Sequence, residues 1–475
     1  MKKIYSILII LFVFISLNAK AQDIYYKYNN TDSEGKRLWV TGSDLLGFYH
    51  DDSTHSGFNA DLHAHYNQWK FNNINLMGAW GHVQENFSST KNGSSTSFSR
   101  NELMVELFGG VSHYFTPRGF YGTAATYLSY AAESHDTGST ASGSVSTNQG
   151  PGYLYGALGY GRILNAGRVA IVADFAERLR ASGILKGNMS QSTMLKLTAL
   201  VDKLAYTEFD SKYWDDQNVM FFKQIESMLI SEGSIEGPLD AANAVRLYET
   251  LYNVFGRYVN YPRYTGYQLQ GQVQYQLFNA TKNKPHDHYA SINGVYGLPV
   301  SNNTSFVFSG YFALPIDTLA SGLGPGSGFA TSGATTFLSF IPDQNNLAFF
   351  NGGSYTAFGP FNFNNGSGLF AGNFVKGLNT QIGIRTDVFH SINTKAGVQA
   401  FAQFIDLMPK TGSSANVFEL FARLDYNLTN YLRSYAYGDF SKYTQSTTTG
   451  TDGQTVATST EGRYRFGVGL DLRIF

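Results

Sequence analysis

Five glutamines, Gln268, Gln270, Gln272, Gln274 and Gln276, occupy every second position of the stretch 267–277. Tyr267, Leu269, Gly271, Val273, Tyr275 and Leu277 hold the positions between and around them. A helix would scatter the glutamines round its circumference, whereas a strand sends successive side chains to opposite faces. The stretch therefore predicts a strand with one polar face and one apolar face edged by tyrosines. The same period recurs along the chain. Phe58, Ala60, Leu62, Ala64 and Tyr66 alternate with Asn59, Asp61, His63, His65 and Asn67. Leu103, Val105, Leu107 and Val111 oppose Glu102, Glu106 and Ser112, and Ile382, Ile384 and Val388 oppose Gln381, Arg385 and Asp387. Phe418, Leu420, Ala422, Leu424 and Tyr426 oppose Glu419, Arg423 and Asp425, with Phe421 interrupting the polar set. The last segment sets Tyr464, Phe466, Val468, Leu470, Leu472 and Ile474 against Arg463, Arg465, Asp471 and Arg473.

The connectors alternate in length. Short ones fall at Phe71–Asn73, Thr116–Gly119, Val300–Asn303, Ser391–Thr394 and Asn427–Asn430. Longer Gly/Ser/Thr/Asn runs fall at Ser88–Arg100, Ser134–Gly152, Pro409–Asn416 and Thr444–Gly462. Alternating segments of about ten residues with this loop asymmetry are the signature of a transmembrane β-barrel. Lipid offers backbone groups no hydrogen bonds, so a sheet that spans it must close on itself. A soluble β-sandwich shows the same alternation with the polar set outside, and the pattern alone does not separate the two. The count is sixteen strands if Thr331–Ile341 and Leu347–Phe358 form a hairpin, and fourteen if the Phe-rich stretch Pro315–Leu378 is one loop.

Between about Gly167 and Tyr261 the period lengthens. Residues 166–262 hold ten Lys/Arg and twelve Asp/Glu, about 23% charged against 15% for the whole chain. Val172, Phe175, Ala176 and Leu179 repeat at helical spacing before Gly183, a C-cap residue. Met194, Leu197, Val201 and Leu204 follow, with Ser190 placed to cap their N-terminus. Phe221, Phe222, Ile225 and Leu229 lead to Gly233. Pro238 suits the first turn of a fourth helix carrying Ala241, Ala244, Val245, Tyr248, Leu251, Tyr252 and Phe255. The division expected is 22–165 and 263–475 as the two parts of a β-barrel, with 166–262 an inserted helical bundle.

The amino terminus breaks the tie between barrel and sandwich. Met1-Lys2-Lys3 is followed by an apolar run from Ile4 to Leu17, and Ala19-Lys20-Ala21 fits a small-x-small cleavage site. Residues 1–21 thus read as a signal peptide and the mature chain begins at Gln22. Aromatics make up 15% of residues, net charge is −1 and cysteine is absent. The charge balance leaves no footprint for nucleic acid, and without cysteine there is neither disulfide nor lipidated-cysteine anchor.

With these features the chain resembles a Gram-negative outer-membrane β-barrel protein of the porin-like kind. The likeness covers about Lys36 to Phe475 and rests on strand pattern, signal peptide and the terminal aromatic Phe475, which falls out of phase with Ile474. It implies an outer-membrane location, lipid around the apolar face and recognition of the last strand by the barrel-assembly machinery. If the short connectors are periplasmic, both mature termini and the helical insertion lie there too, and the insertion becomes a docking module for a periplasmic protein or a structural appendage.

Candidate chemistry is sparse. The expected pore lining is Asp61, His63, His65, Glu102, Glu106, Gln268, Gln270, Gln272, Gln274, Gln276, Arg385, Asp387, Glu419, Arg423, Arg463, Arg465 and Arg473. Its charges are mixed in sign, so no strong ion selectivity follows. Asp61, His63 and His65 share a face, but alternate strand residues stand roughly 6.6 Å apart, too far for all three to grip one ion without another strand. They read as a wet wall, and no metal or cofactor is assigned. Asp51, Asp52 and His55 in one outer loop, and His286, Asp287 and His288 in another, are loosely similar to the rim residues of omptin proteases. The function expected is a passive channel or substrate-uptake pore, not an enzyme. A non-conducting scaffold that recruits periplasmic partners and a rim hydrolase are the alternatives.

Overall fold

The structure, a computed structural model, describes residues 23–28, 33–41, 47–52, 55–71, 74–92, 96–136, 145–149, 151–185, 187–207, 214–246, 263–279, 288–315, 378–393, 395–409, 413–428, 432–448 and 455–472. A short helix, α1 (Asp23–Lys27), opens it. Eight strands follow: β1 (Ser33–Thr41), β2 (Gly47–Asp52), β3 (His55–Phe71), β4 (Asn75–Asn92), β5 (Thr96–Tyr114), β6 (Phe120–Asp136), β7 (Val145–Gln149) and β8 (Pro151–Asn165). Helices α2 (Gly167–Ala181), α3 (Gln191–Thr207) and α4 (Trp214–Ser231) come next. The chain returns as β9 (Tyr264–Asn279), β10 (His288–Pro299), β11 (Thr304–Pro315), β12 (Leu378–Ser391), β13 (Ala396–Pro409), β14 (Ser413–Asn427), β15 (Leu432–Thr448) and β16 (Thr455–Leu472). No helix among the described residues is long and apolar enough to cross a membrane.

All sixteen strands join one antiparallel sheet. β1 and β2 pair with successive lengths of β3, and β7 and β8 with successive lengths of β6, so each couple continues one line. The sheet then runs fourteen positions across, in chain order from β1 to β16. β11 pairs directly with β12 from Thr304↔His390 to Ala313↔Gln381, which leaves no place between them for a hairpin. The segments Thr331–Ile341 and Leu347–Phe358 lie outside the described residues. The edge strands β1 and β16 come within 8 Å, Cα to Cα, without a ladder joining them among the described residues.

Two expectations about the polar connectors need correction. Ser88–Arg100 is not a loop: Ser88 pairs with Arg100 and the ladder continues to Asn92↔Thr96. Thr444–Gly462 is likewise mostly ladder, from Lys442↔Gly462 to Thr448↔Thr455. Ser, Thr and Asn on both faces erase the apolar alternation that reveals a strand, while the backbone pairing persists. These hairpins reach 17–19 residues per strand, well past the roughly 9–11 that cross a bilayer.

Exposure is inverted relative to a soluble fold. On the apolar face Leu107 is 51% exposed, Leu158 73%, Ile292 58%, Ile384 51% and Val468 75%. On the polar face Gln270, Asp387, Arg423 and Asp425 are all 3% exposed or less. The phase breaks on β8 and on β9, at one glycine of each strand. Gly161 (φ 89°) and Gly266 (φ 96°) take a left-handed conformation that L side chains avoid. Gly161 faces Gln268 and Gly266 faces Ile163. Past Gly161 the alternation shifts by one, so Arg162 joins the polar face although Leu154, Leu158 and Tyr160 of the same parity are exposed.

The helices gather where the tight turns are. Ser190 accepts the Thr193 amide on its side chain at 3.0 Å and caps α3. Gly183 and Gly233, both at positive φ, end α2 and α4. The next helical turn, 241–246, is capped by Asp240, whose Oδ1 accepts the Asn243 amide at 2.7 Å, so Pro238 precedes the helix and does not open it. α2 contributes Val169, Ile171, Val172, Phe175 and Leu179 to a core completed by Leu197, Val201, Ile225 and Leu229. Tyr25 and Tyr28, in and just after α1, enter the same core.

Candidate functional site: the polar face at the turn end

Towards the tight turns the polar face becomes a packed layer. β12 and β14 each carry an Arg-x-Asp triplet. Two residues along a strand share a face, so each arginine folds onto its own aspartate. Arg385 Nε donates to Asp387 Oδ2 at 2.8 Å and Nη2 to Oδ1 at 2.5 Å. Arg423 Nε donates to Asp425 Oδ1 at 2.8 Å. The next strand supplies a ring for each cation: Arg385 lies 3.8 Å from the Phe401 centroid and Arg423 3.9 Å from that of Tyr435. Phe421 stacks on Phe401 at 5.0 Å and lies 6.2 Å from Tyr437. The residue that interrupts the polar pattern of β14 is thus part of an aromatic sheet that covers the ion pairs. Burial of a charge is tolerable when it is paired and hydrogen-bonded, and both conditions hold here.

A second cluster spans β5, β6, β8 and β9. Gln268 Nε2 donates to Tyr121 Oη at 2.8 Å, and the Tyr121 hydroxyl donates to Gln270 Oε1 at 2.8 Å. Tyr114 stacks on Tyr121 at 4.8 Å, with Arg162 4.8 Å from its ring centroid. Ser112 and Thr123 share a 2.7 Å hydrogen bond below them.

The turns themselves are laced together. Arg263, fully buried at the start of β9, donates from Nε to the Asn302 carbonyl at 3.1 Å and from Nη2 to Ser391 Oγ at 2.9 Å. Tyr25 donates its hydroxyl to Asn302 Oδ1 at 2.7 Å. Arg118, in the turn after β5, donates to the carbonyls of Tyr26 and Tyr28. Burial lowers the Arg118 pKa from its ordinary value. Burial first, and then the Tyr296 hydroxyl at 3.3 Å, raises the Tyr26 phenol.

Of the expected lining residues, Gln268, Gln270, Arg385, Asp387 and Arg423 are described and buried in these clusters. The side chains of Asp61, His63, His65, Glu102, Glu106, Gln272, Gln274, Gln276, Glu419, Arg463 and Arg465 lie outside the described ones, although their strand positions are set; Arg473 lies outside the described residues. Sheet order separates the two rim groups, since Asp52 and His55 pair at the β2–β3 end while His288 opens β10. Among the described side chains no group of three or more His, Cys, Asp or Glu gathers to hold a metal. Composition hid the Phe401–Phe421–Tyr437 layer, because aromatic positions of a strand read as apolar wherever they fall. The Arg-x-Asp repeat, at 385–387 and 423–425, was the signal available for it.

No family model matches the chain, and no curated protein is similar to it. Among solved structures it is similar to CdiB from Escherichia coli (TM-score 0.32, 7% identity, covering 94% of this chain and 69% of that one). It is also similar to a loop-deletion mutant of OmpT, an outer membrane protein of Vibrio cholerae (TM-score 0.30, 9% identity, covering 93% and 99%). A third is the beta domain of the Bordetella autotransporter BrkA (TM-score 0.25, 8% identity, covering 93% and 99%). All three are outer-membrane β-barrels. Likenesses of this depth carry no functional argument.

Proposed function

We propose that this chain is a Gram-negative outer-membrane β-barrel that acts as a substrate-uptake pore, with its helices and tight turns in the periplasm. The observation that carries the reading is the inverted sheet: leucines, isoleucines and valines half or more exposed on one face, ion pairs buried on the other. Contiguous apolar surface of that extent is unstable in water and is what lipid requires of a spanning strand. Fourteen strands, once β1 closes on β16, make a lumen wide enough to need filling or to hold water, since interior width grows with strand number. Residues 1–21 act as the export signal, lipid surrounds the apolar face, and β16 presents the terminal strand to the assembly machinery.

The packed layer at the turn end supports a pore that is constricted there. It equally favours the second reading, a non-conducting scaffold whose helices recruit a periplasmic protein. Current through single molecules in planar bilayers tests the pair. Discrete conductance steps from purified mature chain are expected; a folded, heat-modifiable protein that inserts but never conducts leaves the scaffold.

A further inference from the structure

α1 has only five residues, far fewer than the roughly 12–15 at which a helix holds itself together in water. Its place is therefore set by contacts, and these go to two different bodies. On the helical side, the Tyr25 and Tyr28 rings are buried in the core formed by α2, α3 and α4, and Ile24 packs against it. Lys27 Nζ also donates to Gln191 Oε1, at the start of α3, at 3.1 Å. On the sheet side, separate parts of the turn end hold the same short segment. The Tyr25 hydroxyl donates to Asn302 Oδ1 in the turn between β10 and β11. The Tyr26 hydroxyl lies 3.3 Å from that of Tyr296 on β10. Arg118, from the turn between β5 and β6, donates to the carbonyls of Tyr26 and Tyr28. Those carbonyls stand at the C-terminal end of α1, where a helix has no partners of its own for them and where a cation is favoured.

The root of the insertion is joined to the sheet in another way. β8 ends at Asn165 and α2 begins at Gly167, with the Ala166 amide donating to the Arg263 carbonyl at 2.8 Å. α3 and α4 lie further along the chain from that junction. We propose that residues 23–28 are a strap that latches the helical insertion to the turn end of the sheet. Docked, the strap holds α3 and α4 in one orientation against the turns that carry Arg118 and Asn302. Released, the insertion keeps its own core and pivots on the β8–α2 junction. Tyr25 shows the arrangement in one residue, with its ring in the helical core and its hydroxyl on a strand turn. The latch rests on these side-chain contacts and not on conduction: a protein that never conducts leaves it standing.

The test uses the mature chain in detergent, with folding confirmed by heat-modifiability. The native chain has no cysteine, so spin labels go on Ser192→Cys in α3 and Lys395→Cys in the turn between β12 and β13, both exposed positions. Pulsed electron resonance should read one narrow distance distribution. Arg118→Ala should broaden it, with helical circular dichroism unchanged. Hydrogen exchange at the Tyr26, Lys27 and Tyr28 amides should quicken at least about tenfold, since a hydrogen bond from a charged donor is lost. Lys223→Ala, exposed on α4, should change neither reading. Should Arg118→Ala not fold, Tyr25→Phe with Tyr26→Phe removes the two hydroxyl contacts to the sheet, keeps the rings, and should broaden the distribution too. A broad distribution in the otherwise native chain, or a narrow one that persists in the folded variants, overturns the latch. So does loss of the helical signal, which would make residues 23–28 part of the helical core and not a strap upon it.

Discussion

Arg423 and Asp425 are each about 1% exposed and make their ion pair under the Tyr435 ring. Removing one member of a buried pair strands the other charge and costs about 3–5 kcal/mol, whereas replacing both by apolar groups of similar volume is close to neutral. Asp425→Asn should therefore lower the urea midpoint of the folded, heat-modifiable species far more than Arg423→Met with Asp425→Leu. Equal losses from the two would show that the pair adds nothing through charge. Gly161 tests the backbone in the same way. A Cβ there would collide with the Tyr267 carbonyl oxygen, and φ is positive. Gly161→Ala should block assembly, while Gly187→Ala, where a Cβ meets nothing within 4 Å, should leave the folded yield unchanged.

Among elements, those legible in the sequence were the ones whose burial matches a simple period. β9, with its unbroken glutamines, and the caps Ser190, Gly183 and Gly233 belong to that group. What hid did so for physical reasons. The upper ends of β4, β5, β15 and β16 are polar on both faces, α1 is only five residues long, and Gly161 shifts the phase of β8 so that Arg162 changes side. Ser190→Ala should cost the helical insertion about 1 kcal/mol, measurable as an earlier thermal transition in circular dichroism. The Lys196–Glu232 contact at 2.6 Å bridges α3 to the end of α4. The hydrogen bond from Lys196, and then its charge, lower the Glu232 pKa. A carboxylate depressed on folding adds stability that is present above its unfolded value of about 4.3 and lost as pH falls through the folded value. Glu232→Gln should thus be the less stable form at neutral pH and converge on wild type in acid; a gap that persists below both values would assign the effect to shape, not charge.

For the whole molecule the decisive question is which way the sheet faces and where it narrows. The tight turns, the buried Arg263 clamp and the helices lie together at one end, and a short-turn end is periplasmic in bacterial barrels. The native chain has no cysteine, so single cysteines at Ser192 and Asn243 should resist an impermeant maleimide on intact cells, while cysteines at Ser142 and Thr449 react. Labelling at the helical sites alone would invert the orientation. Two variants then locate the constriction. The Phe-rich stretch Pro315–Leu378 lies, apart from its two end residues, outside the described residues. The expectation drawn from its composition alone, an inward fold that spares its aromatics from water, is tested by deleting Gly359–Gly377, which should then raise conductance. If the packed layer at the turn end sets the limit, Phe421→Ala raises it instead, because the ring bridging Phe401 and Tyr437 is the part of that layer whose loss leaves both ion pairs in place. Phe421 is only 4% exposed, and opening a cavity at a buried phenylalanine costs about 3–5 kcal/mol, so the folded fraction must be measured beside the current. A correctly folded Phe421→Ala channel with wild-type conductance would move the constriction away from the turn end.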